Sequence, residues 1–520
     1  MGRADEMPQG ISTNQSPKMQ WDLINWETTA RGVARLQQKI FRDARAGNLS
    51  RMRKLQKLLV RSRNARLMAV KGVTEENPGR TTPGVDGFTC RTKQQKMELA
   101  EGLRVKDYRP SPVKVVMIPK PSGGKRRLGI PTVKDRAMQA LVKYALEGEW
   151  EAKFEPHSFG FRPGRNAIDA AHHLYGTLIQ HKGAREQPGW ILDADIAKCF
   201  DRIDHNALLN KLGAFPFRGV IRSWLKSGAI SEIGFERTDR GTPQGGVISP
   251  LLANIALDGM ERLFGIYTRT GRYIGPSRRT GPNKDVSVFR YADDFVVVAP
   301  TRDVIETHVM PKLGAFLAGA GLEFSESKTK IRHITGGFSF LGFRFQRFNR
   351  RSGKFKELKM QPDRERIDRF LKRFKEFART QWNKDVKAFI RAMNLRIKGA
   401  CNYYRWSDTF SIFPYMSHRI FEILWQWARK RHNYRRGKKW IKERYWKVIP
   451  RSAWTFSWEG VTLIDPYECT VQWWKYASVR IESSPFNEQE APYWNARNNR
   501  RKRVTELHPP EQAAGGHGNM

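Results

Sequence analysis

Cysteine is scarce. Cys90, Cys199, Cys401 and Cys469 are scattered over 520 residues with no Cys-x-x-Cys pair, which argues against a disulfide-stapled scaffold and a zinc ribbon. Long apolar runs are missing too: no stretch reaches the ~18 residues that a membrane-spanning helix needs. The opening MGRADEMPQGISTNQSPKMQ lacks the apolar core of a secretory signal and reads as a loose terminus. Acid is the third shortage, with 51 Asp and Glu against 94 Lys and Arg and a formal charge of +43. Such a surface repels itself unless a polyanion covers much of it, so nucleic acid is the expected partner and a membrane is not. Free thiols place the protein in a reducing compartment, the cytosol or nucleoid.

What is present is enough for genuine cores: 39% of residues are hydrophobic, and 520 residues predict about three folded units. Two helical patterns, ARGVARLQQKIFRDA and SRMRKLQKLLVRSRNARLMAV, flank a break at Ala46-Gly47-Asn48, with Leu55, Leu58, Leu59 and Leu67 as an apolar stripe. Arg53, Lys57, Arg61 and Arg63 populate the other face with almost no acid, a pattern that suits phosphate better than plain solvent. VKVVMIPKPSGGKRRLGIP reads as a β-hairpin with Lys120, Lys125, Arg126 and Arg127 gathered at its tip. SFGFRPGRNAIDAAHHLYGTLI reads as a loop that carries Arg162 and Arg165, candidate nucleic-acid contacts, into a helix. After about residue 360 long basic helices follow, and ten of the 16 tryptophans lie beyond residue 400. In WARKRHNYRRGKKWIKERYW the cations Arg429, Lys430, Arg431, Arg435, Arg436, Lys438 and Lys439 alternate with aromatics. Single rings there are equally well core residues under a charged shell, but the block reads as a surface for stacking and phosphate contact.

RYADDFVVVA, residues 290 to 299, sets Asp293 and Asp294 against an apolar run. Neighbours on a strand point to opposite faces, so a turn at Asp293-Asp294 is expected to bring both carboxylates to one locus. Asp195, at the end of the apolar strand WILDA and 98 residues earlier, is the third acid that a sheet can place beside them. Three carboxylates without His or Cys nearby suit a hard cation, Mg²⁺ beside phosphates, and two such ions about 3.5 to 4 Å apart serve phosphoryl transfer. The plainer alternative is an Asp-Asp turn and a helix-capping Asp195. RGTPQGGVISPLLANI is a glycine-rich loop entering a helix, with Ser249 suited to its cap and Pro250 to its first turn; it has no Walker ending. Its small residues let a base pair or sugar approach the backbone beside Gln244, or simply make a tight turn between helices.

Taken in order, TPGVDG, MIPKPSGGKRRLGIPTVKDRA, SFGFRPGRNA, LDADIAKCFDRIDH, GTPQGGVISPLLANI, RYADDF, LEFSESKTKI, FSFLGFRF and MNLRIKGACNYYRW resemble a bacterial group II intron-encoded reverse transcriptase and maturase over roughly residues 25 to 450. The resemblance implies an α+β right-hand polymerase: a loose N-terminus (1–24), a basic helical extension (25–95), fingers and palm (96–345), a helical thumb and maturase region (346–450), a basic DNA-binding region (451–505) and a tail (506–520). It assigns Asp195, Asp293 and Asp294, with the Ile196 backbone, to two Mg²⁺ ions. Lys120, Arg126, Phe200, Gln244 and Lys328 fall to dNTP binding, Phe200 where a bulky ring meets a 2′-hydroxyl. The partners it implies are the intron RNA, target DNA and a primer, with splicing assistance and retrohoming as the roles. Many relatives continue into an HNH nuclease built with paired Cys and His, a pattern not seen in this sequence. A replication fork is then a plausible primer source. A splicing cofactor with a silent polymerase fold is the alternative function.

Overall fold

The computed structural model describes residues 20–506 apart from 120–122, 181–188, 232–233, 268–272, 276–277, 354, 450–451 and 470–472. The chain forms two compact units rather than three, interleaved along the sequence: residues 1–153 with 208–252, and 154–207 with 253–520. Strands are numbered along the chain.

In the first unit, helices Trp26–Arg45, Leu49–Arg61 and Arg63–Lys71 pack on helix Val133–Glu151. Gly47, at φ 74°, makes the expected break, and an extended Ser62 makes a second that sequence periodicity does not show. The apolar stripe is corrected at Leu58, which is exposed. The buried positions of that helix are Met52, Gln56, Leu59 and Val60. These follow the i, i+4, i+7, i+8 period, and Gln56 is admitted because its amide donates to Glu149 Oε2 at 2.7 Å. The predicted hairpin forms: β1 (Val113–Pro119) and β2 (Lys125–Ile130) pair antiparallel, and β1 runs parallel to β4 (Ala229–Ser231), which pairs with β5 (Gly234–Glu236).

The second unit is built on an antiparallel sheet in the order β6-β7-β3-β8, from β3 (Trp190–Asp195), β6 (Ser287–Tyr291), β7 (Asp294–Ala299) and β8 (Lys330–His333). Branched Val296, Val297 and Val298 fit a strand buried on both faces. A second sheet, β11-β10-β9, joins β9 (Phe338–Phe340), β10 (Phe343–Asn349) and β11 (Phe355–Pro362). Helices Arg364–Thr380, Val386–Tyr404, Ile412–Arg431 and Lys438–Tyr445 follow as expected. The small sheet β12-β13-β14 (Trp446–Ile449, Ser452–Trp458, Val461–Thr462) was not expected. One hydrophobic core runs from Phe159 and Val296 through Phe343 and Ile397 to Trp427 and Trp494, so the regions read separately from sequence share an interior.

The expected DNA-binding stretch is partly interior as well. Asp169, on helix Ala167–Gln180, is fully buried and accepts from Arg497 (2.6 and 2.8 Å), Arg501 (2.9 Å), the Tyr476 hydroxyl (3.1 Å) and the Val479 N–H (3.0 Å). His173 donates to Val479 O at 2.7 Å and His172 to Trp406 O at 2.8 Å. These contacts clamp helix Ala491–Glu506 and its approach onto the 157–180 segment. Arg162 and Arg165, expected at a nucleic-acid surface, are corrected by this packing. Arg162 is buried and donates to the carbonyls of Glu155 and Ser158. Arg165 donates to those of Pro156, Ile481 and Ser483. A carbonyl cluster without water is a good seat for a delocalised guanidinium, so the loop spends both cations on holding itself together.

Candidate active site

The β6–β7 hairpin turns one residue earlier than its sequence suggests. Tyr291 pairs with Asp294, so Ala292 and Asp293 form the two-residue turn, and Asp294 already belongs to β7. Ala292 takes the left-handed backbone, φ 59°, at a cost of about 1 kcal/mol for a residue with a Cβ. Gly160 lies under it so closely that a Cβ there would stand 2.4 Å from Ala292 N. The loop around Gly160 is tied to the hairpin by main-chain bonds from Phe159 N–H to Arg290 O and from Arg290 N–H to His157 O, both 2.9 Å. The buried Arg290 guanidinium donates to Ser158 Oγ (2.8 Å), Asn254 Oδ1 (3.0 Å) and Ala292 O (3.2 Å), while Asn254 donates to Gly160 O at 2.7 Å. A rigid turn results.

Asp195 stands directly opposite Asp294 on the adjacent strand β3. Directly opposed residues share a face of the sheet, so Tyr291, Asp294 and Asp195 form a row across β6, β7 and β3. Burial, then the charges of Asp293 and Asp195, push the Asp294 carboxyl up to about 6, against a downward pull from the Arg366 guanidinium. Burial also raises Asp193, two residues before Asp195, to about 6. Like charges gathered in a partly dry site ask for a cation. Lys328 supplies one: its ammonium donates to Asp195 Oδ2, and that bond raises the lysine's own pKa. Among the described residues no three acid, imidazole or thiol groups stand close enough to hold an ion between them as placed. The gathered carboxylates fit a divalent cation in charge and donor type, and Lys328 balances Asp195.

The remaining predicted residues fall into two groups. Ile196 is buried and its backbone bridges to Phe324, and Phe200 is buried just beyond, on the short helical turn Cys199–Arg202. In the first unit, Arg126 donates to Gln244 Oε1 at 2.6 Å, so two residues predicted for one ligand do meet. Lys120 lies outside the described residues. Gly245, at φ 116°, admits this loop to the hairpin, since a Cβ there would come within 2.6 Å of Gly129 O. Of the predicted basic residues, Lys57, Arg61, Arg63, Lys430, Arg435, Arg436, Lys438 and Lys439 are exposed, and Arg53, Arg429 and Arg431 are half-buried. Arg431 also donates to the carbonyls of Trp382 and Lys384. A groove of about 820 Å³ between helices Arg364–Thr380 and Ile412–Arg431 is lined by Arg379, Trp382, Arg419, Trp425, Lys430 and Tyr434, the residue types that stack on bases and meet phosphates.

Sequence reasoning missed Arg290, Asn254 and Gly160, which hold the turn, and Arg366, whose charge lowers the Asp294 pKa. The one available signal was Arg290 itself, a lone cation next to the apolar Val288 and Phe289. Among the described residues no helix is long and apolar enough to cross a membrane.

The reverse transcriptase (RNA-dependent DNA polymerase) family matches residues 118–345, the N-terminal domain of reverse transcriptase matches 21–103, and the group II intron maturase-specific domain matches 367–446. Protein YkfC of Escherichia coli (strain K12) is 33% identical over 55% of this chain and 81% of its own length. The group II intron-encoded protein LtrA of Lactococcus lactis subsp. cremoris is 29% identical over 66% of this chain and 69% of its own. Among solved structures, telomerase from Candida albicans matches with a TM-score of 0.36 and 15% identity over 63% of this chain and 55% of that chain, too loosely to add to the argument.

Proposed function

This chain belongs to the group II intron-encoded reverse transcriptases, and from that premise we propose that Asp195, Asp293 and Asp294 carry its nucleotidyl transfer. It is an RNA-directed DNA polymerase with a maturase domain, and RNA is its partner. Enzymes of this family use a divalent metal and dNTPs. Mg²⁺ is the ion proposed here, because the donors are carboxylate oxygens alone. When bound, such ions lend positive charge to the attacking and departing oxygens.

The observation that carries the reading is the register of Asp195 against Asp294, with the latter's carboxyl pushed up to about 6 by burial and by its two acidic neighbours. A site that holds its acids together against their repulsion is prepared to bind positive charge. Little covalent work is asked of protein groups in phosphoryl transfer, so the chain's task is placement. Asp195 and Asp294, on one face of the sheet, would hold the ions, and the Arg290 network keeps Asp293 at the turn. Lys328, now on Asp195, is the ammonium that would meet the triphosphate. Phe200 is the residue proposed to bar a 2′-hydroxyl, and in the first unit Lys120, Arg126 and Gln244 are the residues proposed for phosphates and a base edge. The exposed cations of helices Leu49–Arg61 and Lys438–Tyr445 and the groove at Trp382 and Trp425 hold the intron RNA. Target DNA and the primer complete the retrohoming assembly.

Primer extension beside filter binding tests the assignment. Asp293→Ala is expected to abolish synthesis and leave intron RNA binding within about twofold, since phosphate contacts dominate affinity. Retained synthesis refutes the roles given to the acids. Splicing at low Mg²⁺ with the same variant separates the two activities: normal splicing without copying shows that they are distinct.

A further inference from the structure

Phe161 breaks two rules at one position. Its backbone lies in the left-handed region at φ 56°, which disfavours any residue with a Cβ, and its ring is 54% exposed. Glycine would relieve both, and glycines stand at 160 and 164 in the same loop. A bulky ring held strained and in solvent serves contact with something else better than it serves packing.

Its position says with what. The ring lies 6.4 Å from that of Tyr291, tilted by 39°. Tyr291 faces Asp294, which faces Asp195, and Asp195 carries Lys328 on its far side. The order along this face is therefore an aromatic pair, two acids, then the Lys328 ammonium. In an in-line transfer the attacking and departing oxygens lie on opposite sides of the phosphorus. With the triphosphate toward Lys328, the nucleotide that bears the attacking hydroxyl lies over β6, at the aromatic end.

We propose that Phe161, backed by Tyr291, is the platform on which the last nucleotide of the primer rests, so that its 3′-hydroxyl is presented beside Asp294. An aromatic face suits this task because every nucleotide offers a flat base and an apolar sugar edge, whatever the sequence. The inference rests on the nucleotidyl-transfer reading above and adds the residue that seats the primer's end.

The test compares the full chain, Phe161→Gly, Phe161→Trp and Asp294→Asn in single-turnover extension of a paired primer, with thermal melting of each protein. Phe161→Gly is expected to melt at or above the wild-type temperature, since its strain is gone, yet to extend about tenfold to a hundredfold more slowly at saturating dNTP, the loss that follows removal of a stacking surface. Its half-saturating dNTP concentration stays unchanged, and Phe161→Trp restores most of the rate. Wild-type extension by Phe161→Gly overturns the inference. So does a lowered melting temperature, which makes the ring a packing element, or a half-saturating dNTP concentration raised in step with the lost rate, which moves the ring to the nucleotide's side. If the wild type does not extend, or Asp294→Asn extends as well as it does, the underlying reading falls instead.

Discussion

Two aspartates in the same unit, Asp169 and Asp294, are treated in opposite ways. Asp169 has no exposed surface and is surrounded by two guanidinium groups, a tyrosine hydroxyl and a main-chain N–H. Asp294 keeps an exposed side at the start of β7, and desolvation with the charges of Asp293 and Asp195 pushes its carboxyl up to about 6. Burial of a fully paired charge builds architecture, because removing either partner strands the other. Like charges gathered at an accessible face suit a binding site, because the missing counter-charge must arrive from outside. The contrast separates the C-terminal seam from the candidate active site on physical grounds, although both are acid-centred and both feel the charge of an arginine.

The sharpest break of the contrast is Asp294→Asn. Primer extension is expected to fall by about a thousandfold or more, since an electrostatic role at the reacting centre is removed, while stability without divalent ions holds or rises by about 1 kcal/mol as repulsion is relieved. A divalent ion should raise the melting temperature of the wild type and not of the variant. Asp169→Ala does the reverse. It leaves Arg497 buried and unpaired and should cost about 3 to 5 kcal/mol in urea melts, with activity lost only as the protein unfolds.

Acid should dissolve the seam before it affects the bonds around Arg290. Burial lowers His172 and His173 to about 4 and His157 to about 3. Between these values and the ordinary imidazole range near 6.5 the unfolded chain binds protons that the folded chain does not, so stability rises with pH there. It is complete above about pH 6.5 and is lost as pH falls toward 4, by at most about 3 kcal/mol for each imidazole. Melting temperatures from pH 8 to 4 check this, and His173→Gln should flatten the profile.

Gly160→Ala sharpens the comparison from the active-site side. A Cβ meets Ala292 N at 2.4 Å, backbone against backbone. A loss of about 1 to 3 kcal/mol is expected from such overpacking, with synthesis reduced further than stability accounts for. Lys328→Ala is the mildest change. Its ammonium is largely exposed, so stability should stay within about 0.5 kcal/mol, while the dNTP concentration for half-maximal rate rises about tenfold, the worth of one charged phosphate contact.

Much of this was legible in the chain. Period-two runs gave β1, β2, β6 and β7, period 3.6 gave the helices, and the acids stood out because nothing apolar explains Asp293 and Asp294 beside VVVA. Less legible was anything that depended on what lay opposite. Leu58 was read as buried and Gln56 was passed over, because only the neighbouring Glu149 makes an amide the better interior residue. Arg162 and Arg165 were read as phosphate ligands because local sequence cannot show the carbonyls, some more than 300 residues away, that receive them.

By itself the sequence determined the reaction class and the polyanionic partner and singled out the three acids as candidates, since these depend on residue type, total charge and ordered motifs. Tertiary structure alone decided that the hairpin turns at Ala292 and Asp293 and that Lys328 rests on Asp195. It also decided that a stretch expected to grip DNA is locked onto helix Ala167–Gln180 through Asp169 and Arg497. The physical reason is the same in each case. Whether a charge faces solvent, a ligand or a buried partner is fixed by burial and by the groups across the fold, and neither is written in the residues that flank it.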